Sequence, residues 1–185
     1  MSANAPLRVL VHATSVVLGK TARAFGGPER GAILLLGPPG SGKSDVALRL
    51  IAAGAQLLSD DQTALFVRRG KLFAEALGRT RGQMEIWGAG IVRVDGARAA
   101  PAARAAPAAR AAPVILAVWL DADIKIARMP EPAAYAPPAP LKLFAAPPLV
   151  VLRPFEVSTT AKIAAIACAA AQGRFVAGVG AANPK

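Results

Sequence analysis

The segment Gly37-Pro38-Pro39-Gly40-Ser41-Gly42-Lys43-Ser44 fits the pattern G-x-x-x-x-G-K-[ST], and its flanks narrow the fold further. Gly31–Leu36 ahead of it is a brief apolar run ending at glycine, which reads as a fully buried strand. Behind it, Val46, Leu50 and Ala53 recur on one face of a helix that starts at Ser44 and stops at Gly54. Strand, glycine-rich loop and helix in that order make a phosphate cradle. The glycines let backbone N–H groups approach phosphate oxygens, and the helix presents its positive end. Lys43 is suited to the β- and γ-phosphates, and the Ser44 hydroxyl to a Mg2+ that bridges them. An α/β fold holding a nucleotide on residues 37 to 44 is therefore expected.

The remaining chain supplies a sheet for this unit. Strands are expected at Leu7–Ala13, Ser15–Leu18, Gln56–Ser59, Thr63–Val67, Leu72–Ala76, Ile91–Val94, Val114–Leu120 and Leu149–Leu152. Ser158 can cap a helix running to about Ala171 with Ile163, Ile166 and Ala170 inward. A unit beginning Pro101-Ala-Ala-Arg-Ala-Ala recurs from Pro107; two copies are too few and too short for a solenoid, so about 97–113 reads as a low-complexity surface insertion. Prolines at 130, 132, 137, 138 and 140 exclude regular helix or ladder there, leaving a structured loop or a flap. With 185 residues the chain suits one domain over 1–173, followed by a tail from 174 to 185.

Composition sets outer limits. Hydrophobic residues are 54% of the chain, but roughly a quarter of all residues are alanine, so the core is smaller than that figure suggests. The net charge of +11 suits an anionic partner. Its Lys and Arg are scattered and few aromatics accompany them, which disfavours a nucleic-acid groove. A single cysteine, Cys168, excludes an intrachain disulfide or a multi-cysteine metal cage, and its alanine neighbours make it a small buried hydrophobe. No apolar run approaches the roughly 20 residues of a membrane helix, and His12 interrupts the segment that most resembles an export signal. A soluble, cytoplasmic protein is expected.

Five further positions carry possible chemistry. Asp60 and Asp61 follow Lys43 by 17 and 18 residues, where the strand after the first helix ends near the phosphates. One carboxylate is suited to the metal or its water and the other to an acceptor hydroxyl, although an acidic pair in a turn is equally ordinary. His12, taken alone, reads as a hydrogen-bonded core imidazole. Glu85 and Arg128, taken alone, read as surface charges, although the glycines at 88 and 90 permit close approach beside Glu85.

Together these segments resemble the catalytic domain of the HPr kinase/phosphorylase family in its short form, without the N-terminal domain. The resemblance rests on Val11-His12-Ala13-Thr14-Ser15-Val16 with Gly19, on Gly37 to Ser44, on Leu58-Ser59-Asp60-Asp61, on Met84-Glu85-Ile86 to Gly90-Ile91, and on Arg128-Met129-Pro130. It implies a P-loop kinase domain of the PEP carboxykinase type, a mixed sheet with flanking helices. It also implies an ATP- and Mg2+-dependent serine kinase that phosphorylates HPr, the phosphocarrier of the sugar phosphotransferase system, thereby regulating carbon metabolism. The reverse reaction would be phosphorolysis, and the assembly a hexamer. By the family pattern Asp61 is the base, His12 organises it, Lys43 holds phosphates, Ser44 and Glu85 serve Mg2+, and Arg128 stabilises the transferred phosphoryl group; Asp60 is then the carboxylate of the pair left for the metal. One departure stands out: where the family has Glu-Ile-Arg-Gly, this chain has Glu85-Ile86-Trp87-Gly88, an apolar indole in place of a planar cation. A small-metabolite P-loop kinase and a nucleotide sensor without catalysis are the alternatives.

Overall fold

A computed structural model describes residues 6–78, 82–94, 111–176 and 178. Its strands are β1 (Arg8–His12), β2 (Thr14–Val17), β3 (Ala32–Leu36), β4 (Gln56–Ser59), β5 (Gln62–Arg68), β6 (Lys71–Glu75), β7 (Gln83–Ile86), β8 (Gly90–Arg93), β9 (Ala111–Leu120) and β10 (Leu149–Leu152); the helices are α1 (Lys43–Ala52) and α2 (Thr159–Ala171).

All five residues of β3 are buried, as its uninterrupted apolar run requires. It lies inside a mixed sheet ordered β1-β5-β6-β9-β3-β2-β4, with β10 also paired to β9. The β9 strand is long enough to serve two neighbours on one side: Ala111–Pro113 pair antiparallel with β6, and Ala117–Leu120 pair parallel with β10. The β3–β9 pairing is parallel as well, so β3, β9 and β10 all end at one edge of the sheet. β7 and β8 form a separate hairpin.

Alternation along β3 splits the core in two. Ile33 and Leu35 pack with Val46, Leu50, Leu116, Val118 and Ile163, beneath both helices. Leu34 and Leu36 pack on the other face with Leu58, Leu65 and Leu72, where Tyr135, Leu141 and Leu143 of the proline-rich segment lean in. That segment is thus a structured loop. Tyr135 N–H donates to the Pro147 carbonyl at 2.9 Å, and Leu149 N–H to the Ala133 carbonyl at 2.9 Å. Leu35 is fully buried; Leu35→Ala is expected to lower unfolding free energy by about 2–5 kcal/mol, read from the urea midpoint with unchanged slope.

Several local expectations shift. Ala53 is exposed at the end of α1, whose inward face is Val46, Ala47 and Leu50. The inward face of α2 is Ile163, Ala164, Ala167 and Cys168, rotated from the expected Ile163, Ile166 and Ala170 because the helix lies against both β9 and the 3-10 helix Gly19–Phe25. Ser158 makes no side-chain cap; Thr159 Oγ donates instead to the Arg153 carbonyl at 2.6 Å. Cys168 is buried as expected, and that burial raises its thiol pKa. The insertion expected over 97–113 ends earlier, since residues 111–113 are already strand, paired with β6. Its residues 97–110 lie outside those described, as does most of the 174–185 tail, although Arg174 donates to the Phe25 carbonyl at 2.7 Å.

Candidate active site

The β3 strand delivers its chain into the loop at the edge where the parallel strands end, the customary place for ligands in open α/β sheets. Gly40 and Gly42 take φ of 78° and 81°, a left-handed region open to glycine at little cost. Space is also short at Gly42, where a Cβ would lie 2.9 Å from Pro154 Cβ. α1 begins at Lys43, so the unpaired amides of its first turn belong to the cradle. Lys43 is 7% exposed, and its Nζ donates to the carbonyls of Gly37 at 3.0 Å and Pro38 at 2.8 Å. Burial lowers its pKa from the usual lysine value, opposed by the negative charges of Asp61 and Asp60. Ser41 Oγ is buried without a hydrogen-bond partner among the described residues. An orphaned polar atom inside a glycine cradle fits a loop built for polar oxygen ligands.

The turn between β4 and β5 separates the two aspartates. Asp60 Oδ1 accepts from Thr14 Oγ at 2.8 Å and from Ser44 Oγ at 3.1 Å, while its Oδ2 accepts from the Glu85 amide at 3.2 Å. Asp61 adopts φ 61°, an uncommon conformation that Asp tolerates better than most residues. The antiparallel register sets His12 opposite Gln62, the residue after Asp61, which brings His12 Nδ1 within 3.0 Å of Asp61 Oδ1. The Asp61 side chain is 73% exposed and that of His12 46%, so the pair is open to an incoming substrate. His12 is therefore not the core imidazole that its apolar neighbours suggest in isolation.

These groups meet in one cleft of about 480 Å³, lined by His12, Thr14, Pro39, Gly40, Gly42 to Asp45, Leu48, Asp61, Met84 to Trp87 and Phe155. The β7–β8 hairpin supplies Glu85 from β7 and Trp87, 82% exposed, from its turn. The cleft thus has a cationic floor, a carboxylate with an attached imidazole, and a hydroxyl–carboxylate pair, the parts phosphoryl transfer requires. Arg128 does not join them. It lies exposed on the irregular segment after β9 and is not among the cleft-lining residues. Sequence reasoning missed Thr14, Leu48 and Phe155. A threonine within a fully buried strand was the available sign for Thr14; Leu48 and Phe155 carried none.

Comparison with known proteins matches the phosphate loop, the Asp60–Asp61 turn and the β7–β8 hairpin. The HPr Serine kinase C-terminal domain matches residues 30–105. HPr kinase/phosphorylase from Clostridium tetani (strain Massachusetts / E88) is 40% identical over 62 residues, which is 34% of this chain and only 20% of that protein. The solved structure of the Hpr(Ser) kinase/phosphatase from Coxiella burnetii superimposes with a TM-score of 0.59 at 22% identity, covering 84% of each chain, and so shares the fold. Residues 30–105 thus match the HPr Serine kinase C-terminal domain, and the chain has the fold of an Hpr(Ser) kinase/phosphatase.

Proposed function

We propose that this chain is an ATP- and Mg2+-dependent kinase for a serine of HPr, and that the same site runs the reverse phosphorolysis. The observation that carries the reading is the His12–Asp61 pair, 3.0 Å apart, in one cleft with Lys43 and the glycine loop. Asp61 takes the proton from the serine hydroxyl as its oxygen bonds to the γ-phosphorus and the bond to ADP breaks. His12 holds Asp61 in place and is itself within reach of the cleft. Lys43 exchanges the Gly37 and Pro38 carbonyls for phosphate oxygens, gaining charge-assisted hydrogen bonds.

The donor set fits Mg2+. Ser44 commits its proton to Asp60, which leaves oxygen lone pairs for a cation, and Asp60 and Glu85 bring carboxylates close by. A magnesium ion bound there neutralises phosphate charge. Mg2+ is commonly bound through one or two carboxylates, with phosphate and water completing its shell, and Asp60 and Glu85 are two such carboxylates. In the reverse direction an oxygen of inorganic phosphate bonds to the phosphoserine phosphorus as the bond to the serine oxygen breaks; Asp61 returns the proton to that oxygen, and the pyrophosphate formed departs.

Incubating the purified chain with HPr, Mg2+ and ATP is expected to add one phosphoryl group to HPr by intact mass, and a chase with inorganic phosphate to remove it. HPr left unmodified, while a small hydroxylated metabolite is phosphorylated, would reassign the substrate.

A further inference from the structure

Phe155 is a large aromatic ring left 64% exposed, yet it lines the cleft and touches the phosphate loop. A Cβ on Gly42 would lie 3.1 Å from one of its ring carbons. The backbone that carries the ring is also held in place. Arg49 donates to the carbonyls of Pro154 and Glu156, the residues on either side of Phe155, the second at 3.3 Å. Asp45 in turn fixes Arg49 through bonds of 3.0 and 2.7 Å. The Thr159 amide closes the turn on the Glu156 carbonyl at 3.1 Å. An exposed aromatic on so firmly anchored a turn gains little for the core, and its backbone is already ordered for a ligand, which reduces the entropy lost on binding.

Topology fixes which part of the ligand it meets. Across the sheet edge the order runs β10, β9, β3, β2, β4, so Phe155, after β10, and Asp61, after β4, lie on opposite sides of the loop that follows β3. Transfer requires the γ-phosphoryl group at Asp61. The nucleoside end of the same molecule then leaves on the Phe155 side of the loop, where Asp45 and Leu48 of α1 also line the cleft.

We infer that Phe155 is the platform on which the nucleobase of the phosphoryl donor stacks, with Leu48 beside it and the Asp45–Arg49 pair as its brace. This rests on the proposed nucleotide site and adds to it the recognition of the base. Stacking on one ring accounts for roughly a tenfold change in affinity, and inorganic tripolyphosphate, which has no base, is blind to it.

The test measures binding of Mg-ATP and of Mg-tripolyphosphate to the wild type, Phe155→Ala and Phe155→Trp by calorimetry, with thermal melts to confirm folding. Support is a loss of about tenfold for ATP in Phe155→Ala, unchanged tripolyphosphate binding, and recovery of ATP affinity in Phe155→Trp. Equal loss for both ligands would mean that the ring only shapes the loop through Gly42, and would overturn the inference. So would unchanged ATP affinity; if the KM for HPr rises instead, the ring belongs to protein docking. A wild type that binds neither ligand refutes the nucleotide site itself. One that binds both but leaves HPr unmodified refutes only the proposed acceptor.

Discussion

Asp61→Asn is expected to slow phosphoryl transfer to HPr by about 10²- to 10⁴-fold while ATP affinity stays close to that of the parent. The amide keeps the size of the carboxylate and can still accept from His12, so the turn with φ 61° at this position is retained. What is lost is the ability to take a proton. Asp60 is an inadequate substitute, because both of its oxygens are engaged by Thr14, Ser44 and the Glu85 amide. Initial rates by intact mass of HPr, beside calorimetric ATP binding, check both halves. A variant that transfers at the parent rate would remove Asp61 from the chemistry.

Lys43→Ala is expected to act on both binding and rate. An ammonium that is 7% exposed and anchored to two carbonyls is already desolvated, so its exchange onto phosphate gives strong, charge-assisted contacts. Losing them weakens nucleotide binding by about ten- to a hundredfold and lowers kcat by a further hundred- to thousandfold, roughly the cost of deleting one donor to developing charge. Calorimetry separates the first from single-turnover rates for the second. Affinity unchanged in Lys43→Ala would mean that the ligand does not lie on the loop.

The parts of this molecule legible in its sequence were those written in local patterns. The β3–loop–α1 unit, the strands from β4 to β6 and the buried Cys168 all follow from short-range periodicity and glycine placement. Those that escaped depend on partners far along the chain. The register of β1 against β5 turns His12 from a mid-strand apolar neighbour into the companion of Asp61. The rotation of α2 follows from what it packs against, and an alanine-rich helix has a hydrophobic pattern too even to show it. β7 was hidden because Gln83-Met84-Glu85-Ile86 is short and has polar residues at alternate positions, and only its pairing with β8 defines it. Phe155 stands in a turn, where a lone aromatic has no period at all. Arg128 is the converse case: the resemblance gives it a role, and the structure leaves it exposed outside the cleft.

The three donors gathered on Asp60 come from β2, α1 and β7, segments that share no common ladder. One carboxylate is therefore a common hinge pin for three otherwise separate members. Changes at residues 14, 44 and 60 form a thermodynamic unit whose separate free energies do not sum. Removing the pin takes one tie from a strand, the start of a helix and a hairpin at once, so drift at any one of these positions is constrained by the other two.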